Sequence, residues 1–165
     1  MWIVLKYEKK KIGILINELK KKFNDDLEIY NPKFQTKLKM KNKIIVNELS
    51  LLGDYLFCYH ENFNNPNVIN LLKFTKGIKD FINGYKSSQN DIKDFINRCR
   101  KSENGEGYLT NKFYDLHENS KFRFGSGVFS NFIFKIINLQ KNKMNILIGN
   151  LRVSTEKEKF IFKSI

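Results

Sequence analysis

The stretch that decides the fold runs from Leu52 to Phe81. It reads Leu52-Gly53-Asp54-Tyr55-Leu56-Phe57-Cys58-Tyr59-His60, a polar connection, then Val68-Ile69-Asn70-Leu71-Leu72-Lys73-Phe74-Thr75-Lys76-Gly77-Ile78-Lys79-Asp80-Phe81. Gly53-Asp54 predicts a turn, and the aromatic and aliphatic run after it has the composition of a buried strand. Asn65-Pro66 predicts a helix start, with a capping side chain followed by a proline where the missing N–H costs nothing. Val68, Leu71 and Leu72 fall on one side of that helix. Gly77 is placed to end it in a left-handed conformation, and Ile78 to Ile82 predict another strand.

Upstream, Trp2-Ile3-Val4-Leu5-Lys6-Tyr7 predicts a first strand. From Lys9 the period changes, and Ile12, Leu15, Ile16, Leu19 and Phe23 form the stripe of an amphipathic helix. Lysines at its ends and open side read as a solvated face. Leu27 to Tyr30 is a short extended segment stopped by Asn31-Pro32, and Lys33 to Lys43 reads as a lysine-rich connection. Ile44-Ile45-Val46 is β-branched enough for a strand, expected to pair antiparallel with the Tyr55 strand through a turn over Leu49 to Asp54.

Downstream, Ile78-Lys79-Asp80-Phe81-Ile82-Asn83 recurs unchanged as Ile92-Lys93-Asp94-Phe95-Ile96-Asn97. Flanking residues assign the two copies differently. The first lies between Gly77 and Gly84 and has strand length. The second follows Ser88-Gln89-Asn90-Asp91, close to a capping box, and its Ile92, Phe95, Ile96 and Cys99 make a helical stripe. Polar, glycine-bearing residues 101–107 read as a linker. Beyond them Phe122 and Phe124, Phe132, Phe134 and Ile136, Ile146 and Ile148, and Phe160 and Phe162 each alternate, which predicts a small β-barrel. A helical spacing underlies the same tail, in Phe129, Phe132, Ile133 and Ile136 and in Met144, Leu147, Ile148 and Leu151. A helical hairpin is therefore the alternative.

With these residues in view, the chain resembles the NusG family of transcription elongation factors. Tyr55-Leu56-Phe57, the short helix and Thr75-Lys76-Gly77-Ile78-Lys79-Asp80-Phe81 match the order of that family's N-terminal (NGN) domain, and Trp2 lies in an opening strand like those of its members. Gly127-Val128-Phe129 followed by Asn150-Leu151-Arg152-Val153 resembles the family's KOW domain, with Asn131 where a second glycine is usual. The turn at Gly53-Asp54 lacks the usual prolines, and in length the chain is similar to RfaH-like specialised paralogues, in which the tail can refold from a helical hairpin. The resemblance implies an α+β fold: an NGN-like antiparallel sheet with packed helices over residues 1–102, a linker over 103–117, and a KOW-like domain over 118–165.

Composition bounds the function. The 165 residues carry a net charge of +13, with 30 Lys and Arg against 17 Asp and Glu. Such an excess favours encounter with a polyanion. Only Arg98, Arg100, Arg123 and Arg152 are arginines, and the overuse of Lys, Asn, Ile and Phe matches an AT-rich coding bias, so much of the lysine reads as solvated surface. No apolar run approaches a membrane span, and Cys58 and Cys99 form no C-x-x-C pair; a cytoplasmic protein with reduced thiols is expected. His60 and His117 lie far apart in sequence, and no Walker loop, H-E-x-x-H or zinc spacing occurs. Gly125-x-Gly127 reads as a turn and Asp25-Asp26 as a solvated loop. No enzyme, cofactor or metal is expected.

The resemblance implies a monomeric factor that binds the clamp helices of RNA polymerase and bridges the DNA channel, suppressing pausing or termination. Leu52, Tyr55, Phe57 and Phe81 are then the polymerase-binding residues, and Lys73, Thr75 and Lys76 a second contact with polymerase or non-template DNA. The C-terminal domain would meet a ribosome or a termination factor. The alternative is an RNA-binding or ribosome-associated KOW-type module, which the charge also suits.

Overall fold

The structure is a computed structural model that describes residues 1–40, 43–125, 127, 129–157 and 159–165. It is α+β, with antiparallel sheets and three α-helices among the described residues. The chain forms two compact units. One comprises residues 1–32 and 50–97, the other residues 33–49 and 98–165.

The first unit is built on strand β1 (Trp2–Tyr7), which lies between β5 (Tyr55–Tyr59) and β6 (Ile78–Phe81), with β2 (Glu28–Tyr30) on the far side of β5. Every residue of β1 except Lys6 is buried. Its register explains why. Leu5 stands between Leu56 and Phe81, and this face packs on Leu15 and Leu19 of helix α1 (Ile12–Phe23) and on Ile69 and Leu72 of α2 (Pro66–Leu72). Trp2 and Val4 point to the other face, where Val4 is paired with Phe57 beneath Ile92 and Ile96 of α3 (Gln89–Lys101). A strand covered on both faces needs apolar residues at successive positions, so the run in β1 does not alternate.

Asn65 caps α2 as expected, its side chain accepting from the Asn67 N–H at 2.9 Å ahead of Pro66. The buried side of α2 differs from the expected stripe. Ile69 and Leu72 point inward, whereas Leu71 is exposed. Gly77 does not cap the helix, which has ended at Leu72. It sits in a turn closed by Ile78 N–H donating to the Thr75 carbonyl at 3.1 Å, with a φ of 98°. A Cβ there would lie 3.0 Å from Leu15 Cβ and 3.3 Å from the Lys11 carbonyl oxygen, so α1 and the turn meet where no side chain fits.

The lysine-rich segment expected to be a connection is strand β3 (Lys33–Met40), and it pairs with β4 (Lys43–Ser50) in a two-stranded sheet. The expected pairing of β4 with β5 does not form. Both edges of β5 are already taken, by β1 and by β2.

The second unit holds a five-stranded antiparallel sheet in the order β10-β9-β8-β7-β11, formed by β7 (Lys121–Phe124), β8 (Ile133–Leu139), β9 (Lys143–Ile148), β10 (Leu151–Glu156) and β11 (Phe162–Ser164). This is the small β-rich C-terminal unit that the alternating pattern predicts, with β10 and β11 at the two ends of the strand order among the described residues. The tail adopts its period of two. Phe122, Phe124, Phe134, Ile136, Met144, Ile146 and Phe162 are all buried, and the Phe124 and Phe134 rings lie 4.4 Å apart. The helical spacing is unused, and Phe132 and Ile133, which it would bury, are exposed. Ser126 and Val128, part of the Gly125 to Phe129 motif, lie outside the described residues.

The polar segment after α3 is a tight turn. Asn104 Oδ1 accepts from the Glu106 and Tyr108 N–H groups, and Thr110 N–H donates to the Ser102 carbonyl at 2.9 Å. Tyr108 O–H then donates to Glu48 at 2.6 Å, and Lys33 Nζ donates to the same carboxylate at 2.9 Å; together they hold that carboxyl below its ordinary range. Phe34 stacks on Tyr114, whose hydroxyl donates to the Phe162 carbonyl.

Gly77→Ala is expected to cost about 1–3 kcal/mol, because the residue combines a backbone conformation closed to side chains with a tight approach. Thermal unfolding checks this; an unchanged melting temperature would show that the turn tolerates a side chain.

Candidate interaction surfaces

The C-terminal end of Ser50 and the Leu51 to Asp54 turn deliver β5 with Tyr55 facing α3. Gly53 has a φ of 67° and an open surround, and the Tyr7 N–H donates to the Asp54 carbonyl at 2.9 Å while Tyr7 O–H reaches the Gly53 carbonyl. On this face Phe57 is buried, in ring contact with Tyr30 at 6.4 Å and Phe95 at 5.7 Å. Leu52, Tyr55, Tyr59, Tyr30 and Phe95 are half-buried around it. Lys6 Nζ stands 5.5 Å from the Tyr55 ring centre, a cation over an aromatic face. The result is a rim of amphipathic rings, wet on one side and packed on the other, over a dry apolar floor.

The structure therefore brings Leu52, Tyr55 and Phe57 together. Phe81 is not with them: its register partner is Leu5, and it is buried on the opposite face of the same sheet. Sheet parity, which a linear motif does not show, separates the two phenylalanines.

Lys73 and Lys76 are exposed. Thr75 is buried and accepts from Lys22 Nζ at 2.8 Å, so it tethers α1 to the turn rather than facing outward. Between them stands a residue the sequence reading passed over. Phe74 is 87% exposed, and Leu71 beside it is 69% exposed. They form an apolar knob flanked by two lysines, on the sheet face opposite the tyrosine rim. The signal was present: Val68, Ile69, Leu71 and Leu72 are more apolar side chains than one face of a seven-residue helix buries, and Phe74 follows in the turn beyond it.

Gln89 was also missed. Its amide takes the Trp2 N–H at 2.9 Å and gives to the Trp2 carbonyl at 2.8 Å, continuing along β1 the pairing that β6 makes further on. It also donates to the Tyr85 carbonyl. One side chain thus pins the start of α3 over the Phe57 floor.

Cys58 is fully buried, and burial pushes its thiol up to about 12; Cys99 is buried as well. His60 is a core residue: its Nδ1 accepts from the Asn62 N–H and its ring packs 4.8 Å from that of Phe23. His117 is exposed, 2.9 Å from Asp115. Among the described residues no group of three His, Cys, Asp or Glu is placed to hold a metal, and no helix is long and apolar enough to cross a membrane.

No family model matches the chain, and no curated protein matches it. Among solved structures it is similar to a chain of the MjSpt4:Spt5 complex, at 12% identity and a TM-score of 0.30, over 100% of this chain and 98% of that one. It is likewise similar to Thermotoga maritima NusG, at 13% identity and a TM-score of 0.40, over 99% of this chain and 96% of that one.

Gln89→Ala should destabilise the fold by about 1–3 kcal/mol for each buried backbone group left unpaired. Urea unfolding followed by fluorescence of Trp2 measures it. Thiol labelling at pH 8 should be negligible in the folded chain and complete in denaturant. Because only the unfolded chain ionises Cys58 at its ordinary value of 9.0, this residue should subtract stability as pH rises from there toward 12. Rapid native labelling would contradict the burial of both thiols.

Proposed function

We propose that this protein is a NusG-like transcription elongation or antitermination factor that binds the clamp helices of RNA polymerase, bridges the DNA channel and suppresses pausing or termination. The observation that carries this is the half-buried Tyr55, set with Leu52 on the rim of a buried phenylalanine floor. A tyrosine in that position offers a rigid apolar ring and a wet hydroxyl, the combination that binding hot spots favour. A helical pair with an apolar stripe is a suitable occupant. Phe57 supports the rim from beneath, and Phe81 holds β6 against β1 from the other side.

The exposed Leu71 and Phe74, with Lys73 and Lys76, supply a second contact on the opposite face of the sheet. Two contact surfaces on one rigid sheet let the factor bridge two parts of a larger machine. Bridging acts by differential affinity: the state in which both contacts are made is favoured, and a tenfold preference is worth about 1.4 kcal/mol. No group in this chain needs to do chemistry for that effect, since the polymerase supplies it. The C-terminal sheet is left for a further partner, a ribosome or a termination factor.

Purified core RNA polymerase should retain the full-length chain, and Tyr55→Ala should weaken retention about tenfold or more while the melting temperature stays within a few degrees. A folded variant that binds undiminished would remove the tyrosine rim from the interface.

A further inference from the structure

The register of the C-terminal sheet sorts its residues by face. Partners across antiparallel strands share a face, so Phe122 opposite Phe134 and Phe124 opposite Phe162 define the inner one. On the outer face Lys121 stands directly opposite Lys135, Lys135 opposite Leu147, and Leu147 opposite Arg152. The neighbouring row places Lys163 opposite Arg123 and Arg123 opposite Ile133. Five cations thus occupy two adjacent rows, about 7 Å apart along the strands, on strands about 4.8 Å apart. Lys121, Arg123, Arg152 and Lys163 are exposed and Lys135 half-buried. None of the five makes a salt bridge among the described residues. Among the described residues the acidic groups at this face lie away from the five cations: Glu156 at the far end opposite Lys143, and Glu118 accepting from Asn138 beyond the bulge in β8.

Two of these cross-strand pairs are like-charged, Lys121 with Lys135 and Lys163 with Arg123. Like charges directly opposite one another destabilise a sheet. Protection of sheet edges explains lysine or arginine on β10 and β11, but β7 and β8 are interior strands, where an opposite-charge pair would serve solubility equally and stability better. The arrangement costs the free protein stability that a bound polyanion would return.

We propose that this outer face binds the phosphate backbone of duplex DNA without reading its sequence. Phosphates are spaced densely enough along a duplex to meet a five-cation patch, and their condensed counterions are released on contact. Single strands are disfavoured because binding them relies on a platform of exposed aromatic rings for successive bases; the phenylalanines of β7, β8 and β11 are turned into the core, and Phe132, just before β8, is a lone exposed ring beside them among the described residues. The choice of DNA over an RNA helix rests on the transcription reading above; the phosphate contact itself does not.

Fluorescence anisotropy of the full-length chain with a short DNA duplex, an RNA duplex and a single-stranded oligonucleotide tests this across a salt series. Binding to the DNA duplex is expected with a slope of log K against log salt of about −4 to −5, from five phosphate contacts. Lys135→Glu should weaken binding about tenfold, flatten the slope by about 1–2, and raise the melting temperature, since it replaces a like-charge pair with an opposite one. Lys86→Glu, the same charge change on the other unit, should leave binding within about twofold. Equal loss in the two variants, or tighter binding to the single strand, would overturn the proposal. Tighter binding to the RNA duplex would overturn the choice of DNA. Capture by core polymerase, measured in parallel, separates the two readings: Lys135→Glu retains it, whereas loss of capture in Tyr55→Ala with duplex binding intact concerns the rim alone.

Discussion

The pairing of β1 with β5 is the constraint on which the first unit depends. It puts Leu5 and Leu56 against α1 and α2, and Val4 and Phe57 against α3, so that one strand pair serves two cores at once. Each fully buried side chain of this kind contributes about 1.5–3 kcal/mol, and the pair sets which residues belong to which side. A one-residue slip would exchange the two faces, turning Phe57 toward α1 and Lys6 into the interior. Gln89 and Gly77 guard the register at its two ends. One completes hydrogen bonds that β6 is too short to reach, and the other lets α1 approach the turn that starts β6.

From this frame follows the division of the unit's exposed features. The aromatic rim around Phe57 exists because α3 covers only part of its face, and the Leu71–Phe74 knob pairs a helix residue that the inner side of α2 does not accept with a phenylalanine in the turn that follows. Among the described residues neither feature includes a group of three His, Cys, Asp or Glu placed to hold a metal. What they present is apolar area, tyrosine hydroxyls and nearby lysines.

The second unit follows a different economy. Its core is centred on phenylalanine, with four rings from three strands in mutual contact beside Ile136, Met144 and Ile146, and those strands are amphipathic in the simplest sense. The phenylalanines of the strands go inward, and five cations stand on the outer face beside Ile133 and Leu147. The overuse of lysine that a coding bias explains in bulk does not explain two like-charged pairs on facing positions, because bias sets frequency and only strand register sets opposition.

The local pattern alone determined much. Alternation placed the tail strands, the Asn65-Pro66 pair placed the start of α2, and the flanking residues of the repeated Ile-Lys-Asp-Phe-Ile-Asn segment were enough to separate a strand at 78–81 from a helix at 89–101. These are short-range effects, in which a glycine or a capping residue acts within a turn. Partner choice was not legible. That β4 pairs with β3, that Phe57 and Phe81 face opposite ways, and that Lys121 meets Lys135 depend on which edges remain free and on how strands align. Those are properties of residues far apart in the chain, and tertiary structure alone decides them.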